Sequence, residues 1–294
     1  MSSLLLGLSW YLPALVILSA IGLYLFDTEK RFQSQDIIGN ILRMRGHLLT
    51  LISILLIISI INQVNNAFEL GGEYTHLIYE FEGNTHIVWL QNSFQNDLFR
   101  HAISIFYILV FMWLLVFTTF FCVATNRKDV LRLFAHSLVL NYMVLLPFYV
   151  LFNVTVTSMY PANTPVQALL YDNDMYRSMI MMVGGFTDCF PSGHISVTVI
   201  TTLVLFRKRN LRRFAYASLA IATLTGFAIL YLGIHWFTDI IAGMLVGFSA
   251  FTIAQKPSVS KRLDRMTAWL ERSIPVNYQP LKGLALGADI PVRD

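Results

Sequence analysis

Apolar residues in this chain neither alternate nor recur at one face of a helix; they run together in long blocks. The blocks span roughly 4–26, 48–63, 101–124, 136–157, 193–206, 214–234 and 239–255, lengths that suit bilayer crossings. The expected fold is therefore an all-α integral membrane protein with about seven transmembrane helices. The first block is too long to be a cleaved leader, and it lacks a positively charged start. The fifth block is short. The dozen residues between His194 and Arg207 rise only about 18 Å as a helix, against a hydrocarbon core of about 30 Å. Either the Arg207–Arg213 cluster snorkels, or His194 lies below the headgroups.

Polar residues sort by sign. Of the 21 Lys and Arg residues, all but Arg100 and Arg177 fall between alternate blocks or in the C-terminal tail. Basic loops stay cytoplasmic, so the N-terminus is expected outside and the tail inside. The composition, 56% hydrophobic and 13% charged, excludes an ordinary soluble domain. The pI of about 9.1 needs no nucleic-acid partner, because the charge is a topology signal that also suits anionic headgroups.

Three regions follow: 1–47, an N-terminal span with a basic loop; 48–255, a six-helix membrane domain; and 256–294, a cytoplasmic tail. The tail opens with Val259, Leu263, Met266, Trp269 and Leu270 at helical spacing among basic residues, which predicts an amphipathic helix on the membrane surface. The outer excursion at about 64–100 carries Glu69, Glu73, Glu80, Glu82 and Asp97 among aromatic residues. It reads either as a solvated acidic loop or as a lid over a lipid entrance. Cys122 and Cys189 lie toward opposite ends of the spans and read as apolar fillers.

Candidate chemistry lies before two of the blocks. Pro191-Ser192-Gly193-His194 opens one, and His235-Trp236-Phe237-Thr238-Asp239 opens another. Proline suits a first helical turn. Ser192 offers a hydroxyl, Gly193 permits close backbone approach, and the starting helix favours an anion such as phosphate. His194 can then protonate a leaving oxygen. Four residues separate His235 from Asp239, which predicts that they share one helix face. The carboxylate can hold one imidazole nitrogen as N–H and expose the lone pair of the other. The expected roles are His235 as nucleophile, Asp239 as its orienting group, and His194 as acid and then base. Spacing of this kind also suits a metal, yet no His-Glu-x-x-His motif or carboxylate cluster completes such a site. Neither metal nor cofactor is expected.

These two segments resemble the second and third signatures of the type 2 phosphatidic acid phosphatase superfamily. Cys189-Phe190-Pro191-Ser192-Gly193-His194 is similar to one, and Tyr231-Leu232-x-x-His235-x-x-x-Asp239-x-x-Ala242-Gly243 to the other. The resemblance covers about 100–255. It implies a six-helix core, an exoplasmic site, a phosphohistidine intermediate and no metal. It also implies a phospholipid or lipid-linked phosphate as substrate. Two expected features are absent: a Lys with Arg-Pro further along, and a Ser-Arg pair before the second histidine, where Ala228 and Ile229 stand. Those cations hold phosphate in the superfamily, and Arg177 is the expected substitute on its nearness to the motif. Inositol phosphorylceramide and sphingomyelin synthases lack the same Ser-Arg pair. The run through Ala242-Gly243 looks especially like the former, which implies transfer of a phospho-headgroup to a lipid alcohol; the alternatives are hydrolysis of a lipid phosphate and a catalytically inactive membrane relative.

Overall fold

The computed structural model describes residues 3–33, 37–68, 70–163, 165–180 and 185–273. Among the described residues, six helices or helix runs are long and apolar enough to cross a bilayer: Gly7–Phe26, Ile37–Asn65, Asp97–Ala124, Lys128–Leu151, Arg209–Tyr231 and Phe237–Ala254. The short apolar helix Gly193–Phe206 joins them, and the chain is an all-α membrane protein. In chain order, α1 is Ser3–Phe26, α2 Ile37–Phe68, α3 Thr75–Glu82, α4 Thr85–Ser93, α5 Asp97–Ile105 and α6 Met112–Ala124. After these come α7 Lys128–Leu151, α8 Asp174–Ile180, α9 Gly193–Phe206, α10 Arg212–Tyr231, α11 Phe237–Ala254 and α12 Pro257–Ser273.

The short helix α9 is the axis of the bundle, packed by α7, α10 and α11. Small residues let its backbone touch α11. A Cβ on Gly243 would come within 2.5 Å of the Ser192 carbonyl oxygen, and one on Gly247 equally close to that of Ser196. Such small-residue seams replace the hydrophobic drive that helices lack inside lipid. At 14 residues, α9 rises about 21 Å and cannot span the hydrocarbon unaided.

Two crossings differ from the apolar blocks that predicted them. The 136–157 block is displaced: its helix, α7, starts at Lys128 and ends at Leu151. The polar first turns are tolerated because Asp264 of α12 accepts two bonds from Arg132, both 2.6 Å. At the other end, Phe152–Asn153 leaves the helix and pairs in parallel, as strand β2, with β1 at Gly72–Glu73. Helix α2 extends beyond 48–63 at both ends because its polar residues find partners. Asn40 donates to the Val123 carbonyl at 2.9 Å, and Asn65 to that of Tyr149 at 3.1 Å.

The predicted amphipathic helix exists as α12, but it docks on protein. Leu263 and Thr267 are buried against α2, and Arg45 pairs with Glu271 at 3.0 Å. Its Trp269 is exposed. Residues 274–294 lie outside the described ones. The third crossing is interrupted: between α5 and α6, Phe106–Phe111 forms a π-helical turn, a distortion frequently found at functional sites.

Helices α3 and α4 fold over the bundle end where α9 and α11 begin. Buried Gln91 of α4 fixes them there, donating to the carbonyls of Gln167 and Tyr231, both 2.9 Å, and accepting from the Gln167 N–H at 2.8 Å. The opposite end gathers ion pairs: Arg127 with Glu29 at 2.9 Å, Lys208 with Asp129, and Arg132 with Asp264.

Candidate active site

Ser192 caps α9, its Oγ accepting from the Ile195 N–H at 3.4 Å, while its own N–H donates to the Asp239 carbonyl at 3.1 Å. The two helix starts are thus tied backbone to backbone. Pro191 precedes the cap instead of occupying the first turn, and its peptide bond to Phe190 is cis. Tyr149 donates from its hydroxyl to the Pro191 carbonyl at 3.0 Å. A Cβ on Gly193 would stand 2.7 Å from that hydroxyl oxygen. Packing against Tyr149, not only approach of a ligand, therefore calls for glycine here.

At α11 the geometry differs from a shared helix face. His235 lies ahead of the helix, whose N-cap is Trp236, and Asp239 sits in its first turn. The Asp239 carboxylate reaches back, accepting from the Trp236 N–H and bonding His235 Nδ1, both at 3.0 Å through Oδ2. Burial of the carboxylate is complete. Glu82 of α3 caps the same helix, accepting from the N–H groups of Phe237 and Thr238 at 2.8 and 2.7 Å and from the Thr238 hydroxyl. The acidic loop is therefore neither simply solvated nor a free lid; one of its carboxylates holds the helix that carries Asp239. Anionic groups at a helix start are stabilising.

The three side chains expected to act do meet. His194 Nδ1 is 3.1 Å from His235 Nε2, and the Tyr107 hydroxyl is 2.8 Å from His194 Nε2. With Asp239 ionised, the following proton arrangement satisfies the relay. His235 donates from Nδ1 to Asp239, so its Nε2 lone pair accepts from His194 Nδ1–H, and His194 Nε2 accepts from Tyr107. His235 is 2% exposed and Tyr107 3%, while His194 between them is partly exposed. Phe111 packs on His194 with ring centroids 4.8 Å apart. Ser192 Oγ stands 3.5 Å from His235 Nε2.

Burial lowers the pKa of His235 to about 4, against an opposing pull from the Asp188 carboxylate. The imidazole is therefore neutral near pH 7, with its lone pair available. Burial likewise raises Asp188, although the Gly185 N–H donates to it at 3.2 Å.

The expected phosphate cation is not part of this network. Arg177 is exposed on α8, and Arg100 pairs with Asp97 at 3.2 Å. Among the described residues, no Lys or Arg bonds to Ser192, His194, His235 or Asp239. Sequence reasoning missed Tyr107, Tyr149 and Glu82. Two of these lie inside apolar blocks with nothing to mark them, and Glu82 is one acid among several.

No curated protein and no solved structure matches the chain. Residues 137–257, which hold α9, α10 and α11 and most of α7, match the family model of the PAP2 superfamily, whose members are usually phosphatases or phosphotransferases of lipid phosphates.

Proposed function

We propose that the chain is a membrane enzyme that moves a phosphoryl or phospho-headgroup from a lipid-linked phosphate, through a phosphohistidine on His235, to a lipid hydroxyl. The observation that carries this reading is the Tyr107–His194–His235–Asp239 relay. In the first step His235 Nε2 attacks phosphorus and the bond to the leaving oxygen breaks. Protonated His194 gives that oxygen its Nδ1 proton, and Asp239 stabilises the charge that forms on His235. In the second step neutral His194 takes the proton of the acceptor hydroxyl, whose oxygen attacks phosphorus and frees His235. The Tyr107 hydroxyl accepts from His194 Nε2–H throughout the two steps, in the protonated ring and in the neutral ring whose Nδ1 acts as base, and it donates to Nε2 only in the resting arrangement. With no cation in the network, the N–H groups at the start of α9 and the Ser192 hydroxyl carry the phosphate charge. Metal is not required for either step.

Burial of His235 and Asp239 supports transfer, since an acceptor delivered from the bilayer reaches a place that bulk water does not. Partial exposure of His194 favours hydrolysis as the second reading. The basic residues at the opposite end support an exoplasmic site. Purified protein is incubated with labelled phosphatidylinositol, with and without a lipid alcohol. Transfer predicts product only with the alcohol, together with acid-labile, alkali-stable label on His235. Acceptor-independent release of phosphate from a lipid monophosphate would replace transfer by hydrolysis.

A further inference from the structure

The geometry points to a site for a soft divalent cation of the zinc type at this end of the bundle. Its ligands are Cys189 Sγ, one ring nitrogen of His235 and a carboxylate oxygen of Asp239, and its occupation switches the nucleophile off. That last clause rests on the role proposed for His235; the cation site itself does not.

Three potential ligand atoms, one from each residue, lie within 4.8 Å of one another, and all three residues are buried. Tetrahedral zinc bonds sulfur at about 2.3 Å and nitrogen or oxygen at about 2.0–2.2 Å, so its ligand atoms sit roughly 3.3–3.7 Å apart. Modest side-chain movement closes the present spacing to that geometry. The carboxylate has spare capacity. Its Oδ2 carries both contacts described above, while Oδ1, fully buried, has no hydrogen-bond partner among the described residues. Cys189 is held in register with the second motif by its Sγ, 3.3 Å from the Ile234 carbonyl.

Charge favours the assignment. A thiolate and a carboxylate neutralise a dication, and the imidazole adds none, so the complex carries no net charge in a buried place. The donor set of sulfur, nitrogen and oxygen selects zinc-like ions. Magnesium and calcium prefer six or more oxygens and are not matched.

Inhibition follows whichever nitrogen binds. Bound through Nε2, the cation occupies the attacking lone pair. Bound through Nδ1, it forces the ring's one remaining proton to Nε2, where it blocks attack. In either case Cys189 loses its proton to solvent on binding, one proton for each cation.

Cobalt(II) reads the site without reference to turnover, because a thiolate ligand gives a charge-transfer band in the near ultraviolet. Full-length protein titrated with Co2+ should show this band at one equivalent. Cys189→Ser should lose it, and Cys122→Ser should keep it. In the lipid transfer assay, micromolar Zn2+ should slow the wild-type at least tenfold, reversibly by chelator, whereas Mg2+ should not. Cys189→Ser should need at least tenfold more Zn2+ for the same fractional loss of its own metal-free rate. No band, or a band that survives Cys189→Ser, overturns the site. Loss of the band with unchanged zinc sensitivity overturns the inhibitory role. A band in a protein that converts no lipid, with or without chelator, leaves the site standing and removes the proposed activity.

Discussion

Two histidines and an aspartate meet at each end of this bundle, and the two carboxylates are held in different ways. At the basic end, His47 and His136 are buried edge to face, ring centroids 5.9 Å apart, with His136 Nε2 3.7 Å from Asp264. Asp264 is already taken: Arg132 gives it two bonds and holds its carboxyl below the usual range. At the other end, His194 and His235 meet nitrogen to nitrogen, and Asp239 receives a backbone N–H and a ring contact but no cation. A carboxylate neutralised by arginine cannot polarise an imidazole. One that faces only neutral donors can. Residue types alone therefore do not distinguish a site from a strut; the partner of the carboxylate does.

The strongest way to break this contrast is to delete one histidine at each end. His235→Ala should lower lipid turnover about 10⁴-fold or more, while His136→Ala should leave it within about threefold and act on stability instead. Comparable losses from both would erase the distinction. Next come the carboxylates. Asp239→Asn should cost about 10³-fold in rate by favouring the wrong tautomer of His235. Asp264→Asn should leave the rate alone and loosen α12, read as faster proteolysis of that helix. Because the Asp264 carboxyl is depressed in the fold, its contribution to docking is present above the ordinary carboxylate range and is lost as pH falls through the folded value.

A pH profile sharpens the comparison further. With His235 lowered from 6.5 to about 4, the limb of kcat/KM that belongs to His235 should lie near 4. An acid limb of His235 near 6.5 would show a solvated ring. The sign for stability is the same: the unfolded chain binds a proton below 6.5 that the fold refuses until about 4. Stability from this group is therefore full above 6.5 and erodes as pH drops between the two. Among changes at the His194–His235 end, the mildest expected is Tyr107→Phe. Loss of a partner that serves both states of His194 should slow turnover about tenfold and move the His194 limb, leaving the His235 limb in place.

The helices were legible because lipid permits little else, and the meeting of the candidate trio because each histidine sits beside turn chemistry at a helix start. Other features were hidden by compensation at a distance. Block 136–157 misplaced α7, since the polar residues of its first turns are satisfied by α12, remote in sequence. Nothing local distinguishes Tyr107 from other aromatics of its block, because a π-helical turn leaves no periodic mark. Pro191 was read as a first-turn residue and Gly193 for a ligand, whereas the structure also ties both to Tyr149, whose hydroxyl meets the one's carbonyl and excludes a Cβ from the other.

The strut from Glu82 to Phe237 and Thr238 also bears on biogenesis. Residues 137–257 carry the family likeness, yet the start of their last crossing is held by a carboxylate synthesised some 155 residues earlier. Tyr107 and Gln91 are equally early. Helix α11 is thus synthesised after Glu82, Gln91 and Tyr107, and a fragment cut to the matched segment would lack the groups that hold the start of that helix.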